Sequence, residues 1–385
     1  MYKMIHRELE KTLLENLKSF PSITLIGPRQ SGKTTLVKKL FPDFAYFNLE
    51  NPDERMIAVE DPRSLFAKNQ NLIIDEAQRV PDLFSYIQTY LDGGKNKVII
   101  TGSNQHDLNA KISQSLAGRT AIFKLLPLSL NELNKAGVNH YTDQQIYKGF
   151  YPAIYDRGQN ATITYRSYFE TYLQKDVRQI LNIGDLALFE KFVRLCAGRV
   201  GSLLNFSSLS NDVGVSVNTL QSWFSVLEAS FICFRLQPFH ANINKRLVKS
   251  SKLYFYDVGL AAYLLGIEEV SQIGRDPLKG VLFENMIVAE FLKKRYNAGL
   301  DHNGYFFRDN NGLEVDYLAV NRNEIAAFEI KSAATYQPGF KKSIEQISKI
   351  EGLNITSKNI LYDGKTMTGP NGFEILNYQE YFEGE

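Results

Sequence analysis

From residue 22 to residue 127, short apolar runs alternate with segments whose apolar residues recur at helical spacing. The runs are SITLIG, FAYFNLE, NLIIDE, KVIITGS and AIFKLLP; helical segments begin at Lys33 and run around Leu83 to Leu91. Strands that are apolar throughout and separated by helices predict a parallel sheet covered on both faces. Residues 128 to 183 turn mostly helical, most clearly in LSLNELNKAG and ITYRSYFETYLQKDVRQIL. In NFSSLSNDVGVSVNTLQSWFSVLEAS the pattern is a short helix, a turn at Gly214 and a second helix, followed by two aromatic-rich strands, FICFRLQPF and KLYFYDV. From about residue 278, LFENMIVAEFLKKRY predicts a helix. YFFRDNNGLEVDYLAV then predicts a hairpin turned at Asn310-Asn311-Gly312, and IAAFEIK a further strand.

A chain of 385 residues exceeds one ordinary core, so several domains are expected. The order of patterns divides it into 1–127, 128–185, 186–274 and 275–385. Hydrophobic content of 44% with 22% charged residues excludes a disordered chain. With 44 basic against 42 acidic residues, any nucleic-acid surface must be local. Cys196 and Cys233 lie in apolar stretches and read as buried small hydrophobes, not a disulfide framework. The charged N-terminus is no signal peptide, and no apolar run approaches the roughly 18 residues of a membrane span. The expected setting is the cytoplasm, with no membrane partner.

Gly27, Pro28, Arg29, Gln30, Ser31, Gly32, Lys33 and Thr34 fit G-x-x-x-x-G-K-[ST] between a strand and a helix, with Thr35 next in line. Glycines let consecutive backbone N–H groups face phosphate oxygens, and the helix N-terminus adds positive potential. Lys33 is expected on the β- and γ-phosphates of ATP and Thr34 on Mg²⁺. Asp75 and Glu76 end the next apolar strand. Asp75 would hold the same Mg²⁺ and Glu76 would polarise the attacking water. A kinase has no need of that second acid, so the pair points to hydrolysis of ATP.

The strand VIITGSN ends in polar residues and here resembles the AAA family, whose strand beside the acidic pair carries a sensor of the γ-phosphate. Ser103 is the matching residue, with Asn104 second. In SLAGR, Arg119 falls where that family places an arginine finger, which serves a neighbouring subunit and implies a homo-oligomer, a hexamer being one form. An ordinary surface salt bridge is the alternative for Arg119.

The helix, turn and helix of residues 205 to 229 suit a winged helix-turn-helix, with Val217 to Ser230 as recognition helix and Trp223, Phe224 and Leu227 in the core. Asn218 and Gln221 then face DNA. Residues 186 to 262 carry eight Lys/Arg against four Asp/Glu, and Lys245, Arg246, Lys249 and Lys252 cluster where a wing would meet phosphates. A protein-docking module with a solvated basic loop is the alternative.

Glu284, Asp316, Glu329 and Lys331 sit in apolar contexts where each charge needs a partner. Glu329 and Lys331 are two apart on one strand and share a face. The pattern Glu … Asp … Glu-x-Lys resembles the PD-(D/E)xK nucleases, and among them the archaeal Holliday junction resolvases. That resemblance implies that Glu284, Asp316 and Glu329 hold Mg²⁺ and that Lys331 assists the attacking water. Leu313-Glu314-Val315 precedes Asp316 where the family usually has a proline. The alternative is a nuclease-derived fold kept for structure or binding.

Taken whole, GPRQSGKT, LIIDEAQ, ITGSN, SLAGR, GFYPAI, YLQKDVRQI, LYFYDVGL and FEN…EVDYL…EIKS resemble a family of bacterial and archaeal ATPases. The implied fold class is α/β: an AAA-type P-loop domain with a helical lid, a winged-helix domain, and an α/β PD-(D/E)xK nuclease-like domain. The expected function is an ATPase that binds DNA, duplex or branched, and remodels or processes it. The competing expectation is an ATP-dependent oligomeric switch that docks protein partners through an inactive nuclease fold.

Overall fold

The computed structural model describes residues 4–94, 96–172, 186–239 and 248–383, with 106, 107, 109 and 110 described by backbone alone. The chain divides into two compact units. One comprises Met1–Leu128, Ala229–Phe231 and Lys293–Asp301; the other comprises Ser129–Glu228, Ile232–Leu292 and His302–Glu385.

The first unit is built on a parallel sheet of β1 (Ser22–Ile26), β2 (Ala45–Asn48), β3 (Asn71–Asp75), β4 (Lys97–Gly102) and β5 (Thr120–Lys124), in the order β2-β3-β4-β1-β5. Central β1 pairs Leu25 with Thr101 on one side and Phe123 on the other. Every residue of β1 is buried, and its two polar residues are satisfied inside, Ser22 on Arg119 O (3.3 Å) and Thr24 on Thr120 Oγ1 (2.9 Å). On one face, Leu9 and Leu13 of helix Leu9–Ser19 and Leu36 and Val37 of helix Lys33–Leu40 pack with Ile23, Leu25, Ile73 and Ile99. This packing fixes the loop between β1 and helix Lys33–Leu40 from below.

The second unit opens with short helices: Leu130–Lys135, Thr142–Lys148, Pro152–Asp156 and Ala161–Tyr172. A capping box between Ser129 and Glu132 starts the first of them. Helix Leu186–Ala197 follows, then Phe206–Val213 and Val217–Ala229, joined through Gly214 at φ 92°. That left-handed turn suits glycine. Trp223 packs edge-on to Phe189 and Phe224 to Phe206, burying one side of the second helix. An antiparallel pair, β6 (Cys233–Leu236) and β7 (Lys252–Phe255), comes next. Beyond β6 the backbone continues along Phe306: Phe306 N donates to Gln237 O (3.1 Å) and Phe239 N donates to Phe306 O (2.7 Å).

The motifs GFYPAI and LYFYDVGL meet at Asp257. Its carboxylate caps helix Val258–Leu264 through Leu260 N (3.1 Å) and accepts from Phe150 N (2.8 Å) and the Tyr165 hydroxyl (2.6 Å). A Cβ on Gly149 would collide with that hydroxyl and with Asp257, so glycine is required there. Cys196 and Cys233 are buried and free, as expected.

The remainder is a mixed sheet in the order β12-β13-β11-β10-β9-β8. Its strands are β8 (Gly304–Arg308), β9 (Glu314–Asn321), β10 (Glu324–Lys331), β11 (Ile355–Tyr362), β12 (Met367–Thr368) and β13 (Phe373–Asn377). One face packs Phe307, Val315, Leu318, Ala327 and Ile360 against Ile344 and Ile347. On the other, Phe291 of helix Lys279–Asn297 stacks on Tyr317 at 4.2 Å. Among the described residues, no helix is long and apolar enough to cross a membrane.

Candidate functional site

The loop Gly27–Gly32 passes directly from β1 into helix Lys33–Leu40. A Cβ on Gly27 would collide with the Leu125 carbonyl, and Gly32 stands at φ 94°. Lys33 is buried and donates its ammonium to the carbonyls of Gly27 (2.9 Å) and Pro28 (2.8 Å). Burial pulls its pKa below the ordinary lysine value, against the opposing charges of Glu76 and Asp75. The Ser31 hydroxyl is buried with no hydrogen-bond partner. Thr35 and Gln30 are exposed, Pro28 is buried, and Arg29 pairs with Glu50 at 3.0 Å.

Asp75, at the end of β3, is 3% exposed. It accepts from Thr34 Oγ1 (2.8 Å), the Tyr46 hydroxyl (2.6 Å) and the Thr101 hydroxyl. Glu76 follows in the left-handed region at φ 57°, and its carboxylate accepts from Ser103 Oγ (2.9 Å) and Gln78 Nε2 (2.6 Å). The structure thus brings together Lys33, Thr34, Asp75, Glu76 and Ser103. Arg119 is placed elsewhere, bidentate on Asp92 through Nε (2.7 Å) and Nη2 (3.1 Å).

Three residues of this site were assigned no role from the sequence, although Gln78 closes the motif LIIDEAQ. Arg7 is buried and donates to Ser31 O (2.7 Å) and Leu126 O (2.7 Å), bracing the loop from the N-terminal segment. Tyr46 and Gln78 sit in ordinary strand and turn contexts. Only the acidic pair beside Gln78, and the small Gly102 that leaves room for its amide, hint at it.

A second polar cluster lies in the other unit. Asp316 on β9 accepts from Ile330 N (2.8 Å) and Lys331 Nζ (3.0 Å), and Lys331 also reaches Glu329 at 2.6 Å. Glu284 accepts from the Tyr254 hydroxyl and from Lys252 Nζ (3.0 Å). Burial and the Asp316 charge push Glu329 well above the usual carboxylate range, against the pull of Lys331. Asp316 stays below the ordinary aspartate value, because Lys331 and Lys252 outweigh its burial. Glu284 is raised by burial and by Asp316, against the pull of Lys252. Among the described residues, no three His, Cys, Asp or Glu side chains converge to hold a metal ion.

Lys252 needs a correction. Expected on a surface loop facing DNA, it is 2% exposed, with its ammonium 2.5 Å from Glu314 as well as on Glu284. The physical reason is that Lys252 opens strand β7, all of whose residues are buried, and its ammonium is held by the acids. Lys245 and Arg246 lie outside the described residues, and Lys249 is exposed. On helix Val217–Ala229, Asn218, Gln221, Ser222 and Ser225 are exposed, whereas Leu220, Trp223, Phe224 and Leu227 are buried.

Residues 19–134 match the AAA domain family, residues 139–271 the domain of unknown function DUF8612, and residues 279–381 the domain of unknown function DUF4143. An uncharacterized protein of Mycobacterium tuberculosis is 28% identical over 365 residues, covering 93% of this chain and 80% of that protein. An uncharacterized protein of Haemophilus influenzae is 23% identical over 365 residues, covering 85% and 88%. Among solved structures, the Walker-type ATPase of Pyrococcus abyssi is 13% identical with a TM-score of 0.45, covering 68% of this chain and 96% of that one. The chain therefore carries an AAA-type P-loop ATPase domain over residues 19–134, followed by a largely helical middle region and a C-terminal domain on a mixed sheet.

Proposed function

We propose that this chain hydrolyses ATP at Gly27–Thr34 and uses the cycle to bind and remodel or process DNA, with branched DNA among its substrates. Its working parts are 1–127 as ATPase core, 128–185 as helical lid, 186–274 as winged helix and 275–385 as a nuclease-like domain. The observation that carries the hydrolytic reading is the convergence of Lys33, Thr34 and Asp75 with a second acid, Glu76, held beside them by Ser103.

These residues suit a nucleoside triphosphate with its Mg²⁺. The loop carries a buried hydroxyl without a partner on Ser31, and a buried ammonium held on the Gly27 and Pro28 carbonyls. Bound ATP supplies the γ-phosphoryl group and its magnesium screens the phosphate charge. Lys33 would neutralise phosphate oxygens, with Gly27, Pro28, Arg29, Gln30, Ser31, Gly32 and Thr35 shaping the loop, and Thr34 and Asp75 would hold the ion. Glu76 orients the attacking water and takes its proton, and Ser103, now on Glu76, reports the state of the site.

DNA binding is supported by the exposed polar row of Asn218, Gln221, Ser222 and Ser225 on the second helix of a helix-turn-helix, with Lys249 exposed nearby in sequence. The order of helix, β9 and β10 carrying Glu284, Asp316 and Glu329 with Lys331 supports a nuclease-like fold. Labelled single-stranded, duplex and four-way-junction DNA would be titrated with the full chain, with ATPase rate followed in parallel. Binding together with a DNA-dependent rise in turnover is expected. DNA that changes neither mobility nor rate sinks the reading.

One observation favours a second reading. Burial of Lys252 takes a cation away from the surface expected to meet phosphates, which suits an ATP-dependent oligomeric switch that docks protein partners. That reading predicts a nucleotide-dependent change in sedimentation and no response to DNA.

A further inference from the structure

We propose that the Lys252 ammonium is the standing counter-ion of the C-terminal acid set, and that this set takes no divalent cation. The resemblance to metal-dependent nucleases implies Mg²⁺ among Glu284, Asp316 and Glu329, and the residues present do not fit it. Lysine 331 alone would not decide the matter, since a metal-using site of that kind also keeps a lysine beside its acids. Lysine 252 decides it. It comes from β7, outside the helix and strands that carry the acids, and places its ammonium 3.0 Å from Glu284 Oε1 and 2.5 Å from Glu314 Oε1. A divalent ion would need carboxylate oxygens at about 2.0–2.6 Å, and on Glu284 Oε1 it would have to compete with that nitrogen for the same oxygen.

The ammonium is held inside the fold. The Lys252 backbone is paired with Leu236 on one side and bridged to Leu203 on the other, and the side chain is 2% exposed. Expelling the head group would leave a charge buried without its partners, and the acids without theirs. One oxygen on each neighbouring carboxylate is also engaged. Glu284 Oε1 takes the Tyr254 hydroxyl, Glu314 Oε2 takes Arg308 Nη1 (2.9 Å), and Asp316 Oδ2 takes Ile330 N and Lys331 Nζ. The charges fall into two paired groups, Lys252 and Arg308 with Glu284 and Glu314, and Lys331 with Asp316 and Glu329. The domain then serves as a recognition or scaffolding part, and no metal-dependent cut is made at this place. The inference is independent of both the ATP and the DNA readings.

Nucleotide-free full-length protein would be titrated with MnCl₂, the free ion being followed by electron paramagnetic resonance. The expected result is no Mn²⁺ retention that Glu284→Gln or Asp316→Asn removes. One equivalent held by the wild-type protein and lost in those variants overturns the proposal. Independently, Lys252→Met should lower the melting temperature, and Lys252→Met combined with Glu284→Gln should recover most of the loss. A double variant no more stable than the single one makes Lys252 a packing residue and overturns its role as counter-ion. If Lys252→Met alone gives no soluble protein, the return of cooperatively melting protein in the double variant is the same readout, and its failure to return counts against the proposal.

Discussion

Glu76 occupies the left-handed region, at φ 57° and ψ 45°, a conformation that costs a non-glycine residue of order 1–3 kcal/mol. The surroundings hold it there: Ser103 and Gln78 both donate to Oε2, and Glu76 N donates to Thr101 Oγ1 (3.3 Å). An amide oxygen can accept the same two side-chain bonds, so Glu76→Gln should preserve the loop and nucleotide affinity. Hydrolysis in a single turnover should fall by roughly 10²–10⁴, the usual worth of a positioned general base. A variant that turns over at the wild-type rate assigns the base elsewhere. Arg7 is the complementary case, a residue that supports the loop without reaching phosphate. Its removal strands the Ser31 and Leu126 carbonyls, at about 1–3 kcal/mol for each buried group left without a partner. Arg7→Ala should therefore weaken nucleotide binding and lower the melting temperature together. Normal ATP affinity in a folded Arg7→Ala protein would separate the N-terminal segment from the site.

At the scale of elements, strands and long helices were legible because their cause is local. SITLI, NLIID and KVIITG are each built on apolar residues, and all three are largely buried parallel strands. The turn at Gly214 and the two helices beside it were legible for the same reason. The short helices Pro52–Glu60 and Pro62–Ala67 were not read: they span two or three turns and take their starts from Asn51 and Asp61 caps. Lys252 was misplaced because its partners, Glu284 and Glu314, are distant in sequence and charge pairing leaves no periodic trace. Arg7 escaped for the same reason. The motifs GFYPAI and LYFYDVGL were noticed as signatures, but only the fold gives their purpose, which is to meet at Asp257. Asp257→Ala should cost the ~0.5–2 kcal/mol of a lost helix cap, and about 1–3 kcal/mol more for donors left buried at Phe150 and Tyr165. Urea melts would read the loss, and a change within a few tenths would deny the junction its role. On helix Val217–Ala229 the expectation is opposite. Asn218→Ala with Gln221→Ala touches only exposed positions, so stability should hold while DNA affinity falls. Unchanged affinity would move the contact surface off this helix.

For the whole molecule, the question is whether one copy can complete its own catalytic cycle. Arg119 lies just before β5, and both arms of its guanidinium are spent on Asp92 at the end of helix Leu83–Asp92. The pair is solvent-exposed, with side-chain exposures of 33% and 51%. Exposed ion pairs of this kind contribute little to stability, so Arg119 can be surrendered to a phosphate at small cost. Structurally, then, Arg119→Ala should leave the melting temperature nearly unchanged. Its effect on turnover depends on whose nucleotide it serves. If it acts across a subunit boundary, Arg119→Ala protein has an intact loop and no finger to offer, whereas Lys33→Ala protein has a finger and a loop that binds no ATP. Neither should hydrolyse ATP alone. Mixed in equal amounts, they should form some boundaries that pair a working loop with a working arginine, and a fraction of the wild-type rate should return. Dilution should abolish that recovered rate, because it depends on assembly. Full activity of Arg119→Ala by itself would return Arg119 to the role of a surface partner for Asp92, and a mixture as inactive as its parts would deny it action across a subunit boundary.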